Sequence, residues 1–179
     1  ELLGKISIGV PGRHNVMNCL ASIAAGMYLG LGFEQIAAIM PGFGGAKRRF
    51  QTKGKENGIW VVDDYGHHPT EILTTLHGAK AATSGRVVCV FQPHRFSRTQ
   101  LLAREFGAAF APADLLVLTD VYAAGEDPIE GISGETILRE VQQQTGQPVH
   151  YCPDAEALEE CVLPLLRSGD LVIPMGAGK

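Results

Sequence analysis

The chain has 179 residues and a mass of 19.1 kDa, with 45% hydrophobic and 19% charged residues, 22 glycines and a net charge of -4. That balance excludes a disordered or fibrous chain and describes a soluble globular protein of one domain or slightly more. No apolar run reaches the roughly 18 to 20 residues that span a bilayer, and no signal-peptide pattern opens the sequence, so a cytoplasmic location is expected. Charge is scattered and the pI is near 5.9, which leaves no stripe for a polyanion; nucleic acid is not an expected partner. Cys19, Cys89, Cys152 and Cys161 lie far apart in apolar segments, with no CxxC pair or zinc-ligand spacing, and are read as buried free thiols.

From the amino end, GRHNVMN (12–18) sets His14, Asn15 and Asn18 at the start of an apolar, Ala- and Gly-rich helix over 16–30. One of them suffices as a cap; His14 and Asn18, four apart, share a helical face on which two groups could read one planar ligand edge. A short helix over 33–39 is closed by Pro41 and Gly42. Residues 42–58, rich in glycine and base, read as a mobile linker between domains. Arg48 and Arg49 within it suit either phosphate contact or solvated charge.

The pattern then becomes regular. Short β-branched runs at 59–63, 86–91, 115–119, 148–151 and 171–175 alternate with helical stretches at 70–83, 99–110, 133–145 and 154–167, the last with a kink at Pro164. Continuous apolar strands separated by helices predict an α/β fold: an open, mostly parallel sheet with helices on both faces. Ligands in such sheets gather beyond the carboxyl ends of the strands. There stand DDYGHHPTE (63–71) and QPHRFSR (92–98). Asp63 and Asp64 could hold a metal, a ribose or a histidine, and because neighbours on an extended chain point opposite ways only one of them should face a ligand. Tyr65, His67 and His68 make a polar cluster beside them. Arg95 and Arg98, three apart at a strand-to-helix junction, could converge on one carboxylate or phosphate through planar two-donor forks.

No GxxxxGK[ST] loop, no dinucleotide fingerprint at GFGG (42–45), no GxSxG elbow and no Cys/His nucleophile pair occurs. If nucleotide phosphates bind, their main cradle is expected outside this sequence.

GRHNVMN (12–18), FGGAKRRFQ (43–51), VDDYGHHPTEI (62–72), FQPHRFSRT (91–99), DVYAAGEDPI (120–129) and GAG (176–178) together resemble the Mur ligases of peptidoglycan precursor synthesis, in their alanine-adding branch. The resemblance implies a piece of a three-domain enzyme: 1–50 as the end of the central ATP-binding domain with its linker, and 51–179 as a C-terminal ligase domain of dinucleotide-binding-like fold. It implies ATP-dependent, magnesium-assisted joining of L-alanine to UDP-N-acetylmuramate through an acyl phosphate. His14 and Asn18 would meet the adenine, Arg49 the phosphates and Asp64 the ribose; Tyr65, His67, Arg95 and Arg98 would form the L-alanine site. The family's GTxGKT loop and magnesium ligands have no counterpart here, so the chain alone is expected to be inactive. Lys179 departs from the acidic or amide residue expected after GAG. Two other readings stay open: a stand-alone α/β module holding an anionic metabolite, and a sibling ligase adding a different amino acid or peptide.

Overall fold

The computed structural model describes residues 2–10 and 12–178; Lys179 lies outside the described residues. Six strands form one sheet in the order β1-β2-β6-β3-β4-β5: β1 (Gln51–Glu56), β2 (Ile59–Asp63), β3 (Val87–Phe91), β4 (Leu115–Leu118), β5 (Val149–Tyr151) and β6 (Leu171–Met175). β1 is antiparallel to β2, and the remaining pairings are parallel. All five expected strands sit within a residue of their predicted limits, and β2 and β6 match them fully.

Period-two alternation divides the core. Val87, Cys89 and Phe91 of β3 point to one face, where they pack under α3 (Pro69–Ala82), α5 (Ala103–Ala109) and α6 (Gly134–Thr145) with Ile72, Leu76, Phe106, Phe110, Ile137 and Val141. Val88 and Val90 point to the other face, covered by α7 (Leu158–Val162) and a 3₁₀ turn at Leu163–Leu165. This follows from right-handed crossovers: β2, β3, β4 and β5 advance in one direction across the sheet, whereas the step back from β5 to β6 places α7 on the opposite side. Near the amino end, α1 (Arg13–Tyr28) and α2 (Phe33–Ile39) share a small core of Cys19, Ile23 and Ile36.

Several expectations need correction. The segment read as a mobile linker contains β1, because Asn57 (φ 51°) and Gly58 (φ 77°) make a tight hairpin that folds 51–56 back on 59–63. Asn-Gly is a strong hairpin signal, hidden here by the surrounding glycines and charges. The helix over 99–110 is two: α4 (Phe96–Leu101) ends at Leu102, whose φ of -108° and ψ of 16° leave the helical region before α5 begins. The stretch 154–167 keeps one short α-helix, since Pro164 cannot continue its hydrogen bonding. Cysteine is also corrected. Cys152 and Cys161 form a disulfide, and Cys161 is exposed, because the chain turns back after β5 and brings the two Cα atoms to 6.6 Å. Only Cys19 and Cys89 are buried free thiols among the described residues.

Candidate functional site

Beyond the carboxyl ends of β2, β3 and β4 the loops build two adjoining sub-sites. The first is a cleft of about 590 Å³ between α1, the crossing segment 43–50 and α3. His14, Asn18, Arg49 and Asp64 all line it, joined by Asn15 and by Thr70, Thr74 and Thr75 of α3. His14 Nδ1 is buried with no hydrogen-bond partner among the described residues. A buried polar atom without a partner is costly, so this nitrogen is suited to a ligand's polar edge.

Asp63 and Asp64 divide as alternation requires. Asp63 turns to the crossing segment and pairs with Arg48 Nε at 3.3 Å. Asp64 is buried and faces the cleft; its two oxygens accept the N–H groups of Phe50 and Gly66, each at 2.8 Å. Burial pushes its pKa above the usual carboxylate range, outweighing those two hydrogen bonds and the nearby Arg49 charge. Each carboxylate oxygen has a second lone pair, so the group can still accept from a hydroxyl.

The two arginines also separate. Arg48 donates to the carbonyls of Gly176 (2.7 Å) and Gly178 (2.8 Å) and is occupied with holding the loop after β6. Arg49 is half-exposed in the cleft, 3.5 Å from Glu71. Of the pair only Arg49 is free to meet a phosphate. Glu71 accepts the N–H groups of His67 and His68, capping α3 with Pro69 at its first position.

The second sub-site is a row of rings. Tyr65 meets His67 at 5.2 Å between centroids, His67 meets His94 at 6.2 Å, and His94 meets Tyr122 at 5.7 Å. Arg98 Nη1 contacts His94 Nδ1 at 3.2 Å, and Arg95 lies beside it at the start of α4. Arg95 takes a φ of 74°, an uncommon backbone for a residue with a side chain, fixed by its N–H donating to Tyr122 O at 2.8 Å. Its guanidinium is 3.7 Å from Glu126, whose carboxylate also accepts from Ser97 N–H (3.0 Å) and Oγ–H (2.6 Å).

Tyr65, His67, Arg95 and Arg98, named from sequence, thus meet at one edge. His68 instead caps α3, its Nδ1 accepting from Thr70 N–H. Sequence reasoning did not single out His94, Tyr122 and Glu126, although all three lie in the quoted runs QPHRFSRT and DVYAAGEDPI. No group of three His, Cys, Asp or Glu among the described residues could hold a metal ion.

The sequence matches the family model "Mur ligase, glutamate ligase domain" over residues 48–178. It is 51% identical over 177 residues to a UDP-N-acetylmuramate--L-alanine ligase of Geobacter sulfurreducens, and 49% identical over 178 residues to one of Desulforamulus reducens. These alignments cover 98% and 99% of this chain and 38% of each relative, so the chain spans well under half their length. Among solved structures, UDP-N-acetylmuramate-alanine ligase from Thermotoga maritima superposes with a TM-score of 0.81 at 29% identity, covering 97% of this chain and 36% of that one. A murein peptide ligase from Psychrobacter arcticus gives a TM-score of 0.68 at 25% identity, with 97% and 36% covered. With most of its length matched by the family model and its fold shared with these enzymes, the chain belongs to the Mur ligase family.

Proposed function

We propose that the chain is part of an ATP-dependent ligase that joins L-alanine to UDP-N-acetylmuramate through an acyl phosphate, in the cytoplasm, during peptidoglycan precursor synthesis. The observation that carries this reading is the juxtaposition of the cleft holding His14, Asn18, Arg49 and Asp64 with the ring row bearing Arg95 and Arg98. One sub-site suits a nucleotide and the other a small zwitterion. Residues 1–50 would be the end of the central ATP-binding domain and 51–179 the ligase domain, which accords with a separate small core in α1 and α2.

The roles follow from chemistry. His14 and Asn18 would read the adenine edge, with the unpartnered Nδ1 of His14 gaining a partner. Asp64 would accept a ribose hydroxyl. Arg49 would leave Glu71 for the phosphates, adding charge stabilisation to phosphoryl transfer. Arg95 and Arg98 would fix the L-alanine carboxylate, with Tyr65 and His67 alongside them in the ring row. The described residues do not fit a magnesium site, so no step is assigned to that ion in this chain.

Phosphate release, measured with ATP, UDP-N-acetylmuramate and L-alanine supplied singly and together, tests the reading. The complete ligase that contains this chain should require all three. The 179 residues alone should release none above a no-protein control; release by them that Asp64→Ala abolishes would overturn the assignment of the missing machinery to the rest of the enzyme. A complete ligase indifferent to L-alanine but active with another amino acid or peptide would favour a sibling enzyme.

A further inference from the structure

In amide synthesis an amino acid arrives as a zwitterion, and its ammonium nitrogen has no lone pair with which to attack an acyl phosphate. We infer that His67 is the base that removes the first proton, through Nε2. The inference rests on the ligase reading above and adds a catalytic residue to it.

The tautomer is decided by its neighbours. His67 Nδ1 lies 3.0 Å from the carbonyl oxygen of Tyr65. A carbonyl oxygen only accepts, so Nδ1 bears the hydrogen and the lone pair of the neutral ring is on Nε2. The same N–H is 3.8 Å from Glu71 Oε2, which places a carboxylate beside the imidazolium formed on proton uptake. Burial tends to raise the pKa of Glu71, but the N–H groups of His67 and His68 and the charges of His67 and Arg49 more than offset it. Glu71 is therefore held below its ordinary range and stays ionised.

The base also stands at the right end of the site. His94 lies between Arg98 and His67, contacting the first at 3.2 Å and the second at 6.2 Å between ring centroids. Burial, then the charges of Arg98, His67 and Arg95, lower the pKa of His94 against the opposing pull of Glu126. A neutral ring there does not repel an ammonium. A zwitterion laid across His94 puts its carboxylate against Arg98 and its ammonium against His67. The titratable and charged groups facing His67 are Tyr65 in its own loop, Glu71 of α3 and His94 from the loop after β3, with Arg49 and Arg98 beyond them.

In the step itself one ammonium N–H bond breaks, its proton passes to Nε2 and its electron pair stays on nitrogen. That pair forms the C–N bond to the acyl carbon while the carbonyl π pair moves to oxygen. When the carbonyl re-forms, the C–O bond to phosphate breaks and its pair leaves with the phosphate, which takes the second proton from nitrogen.

The test uses the complete ligase and His67→Asn, whose side chain fills similar space and cannot take a proton. L-Alanine coupling is compared with hydroxamate formation from hydroxylamine, which is uncharged at neutral pH and needs no base. Coupling should fall on the order of 100-fold at neutral pH, and the deficit should shrink as rising pH deprotonates the free amino acid, while hydroxamate formation stays near that of the parent. A coupling deficit that does not shrink with pH, or an equal loss of hydroxamate, overturns the base. A parent enzyme that forms no hydroxamate from UDP-N-acetylmuramate and ATP refutes the ligase reading instead. Should the variant not fold, nitrogen-15 spectra of the parent's histidines decide the matter, since a proton on Nε2 rather than Nδ1 of His67 also overturns it.

Discussion

Arg48 and Phe50 both take left-handed backbone, φ 54° and 49°, and flank Arg49 so that neighbouring guanidiniums point to different places. The strain is held by Asp64 on Phe50 N–H and by Arg48 O accepting Tyr65 N–H at 2.6 Å. Arg48→Ala should therefore destabilise the loop at Gly176–Gly178, by about 2 kcal/mol in urea unfolding, as loss of charge-assisted bonds predicts. Arg98→Lys belongs to the same scale. A lysine keeps the charge but not the planar fork, so on the proposed ligase reading kcat/KM of the complete enzyme for L-alanine should drop roughly 10- to 100-fold with the KM for ATP little changed. An equal loss toward both substrates would show that Arg98 serves the nucleotide. Acid sensitivity has a further source in Asp170, which is buried and bonded to Arg86 at 2.9 and 2.7 Å. Burial raises its pKa, yet the Arg86 contact and the N–H of Arg167 more than compensate and leave it lowered. A carboxylate lowered by folding adds stability above its unfolded pKa, about 3.9, and that stability is lost as pH falls through the folded value. Unfolding titrations of Asp170→Asn should accordingly lose stability at neutral pH, by about 1.5 to 3 kcal/mol because the Arg86 left behind is partly solvated, and show a shallower decline below pH about 4 than the parent.

At the scale of elements, what the sequence made plain was whatever rested on repetition over several residues. β3 and β6 are apolar at nearly every position because both sheet faces are covered, and such runs are hard to misread. The helix α6 is bracketed by Ser133, whose side chain accepts Glu135 N–H, and by left-handed Gly146, and its limits lie within one residue of those expected. What escaped was decided by single backbone conformations. The break at Leu102 has no glycine or proline to announce it; the leucine leaves the helix to pack against the main core. The site was legible in part for the same reason: charged and aromatic residues at strand ends could be found, but the pairing of His94 with Tyr122 depends on a bridge between two loops. Asp120 ties one of those loops down, its Oδ1 accepting from Val121 and Gly134 N–H at 2.7 Å each. Asp120→Ala should speed amide hydrogen exchange across 120–133 and cost about 2 kcal/mol, with α3 and β2 unaffected. Unchanged exchange there would mean that the loop is held by its other contacts.

Over the whole molecule, stability should be uneven. The sheet carries a core of fully buried side chains on both faces, whereas α1 leaves Val16, Met17 and Leu20 about half exposed. Hydrogen exchange should therefore protect 87–91 far more than 16–28 in the isolated chain. Equal protection in a monomer would contradict this, whereas self-association would agree with an apolar face seeking cover. The sheet's two margins behave differently from that helix. Any parallel sheet that does not close on itself ends in strands with unpaired backbone groups, which invite pairing with other chains. Here one margin is only three residues long, and the other, β1, carries Lys53, Lys55 and Glu56 and a register shift at Gly54. The hairpin that replaced the expected linker thus shields the strand next to the candidate site from growth into fibrils, and the loops beyond the strand ends can stay open to solvent without making the sheet adhesive.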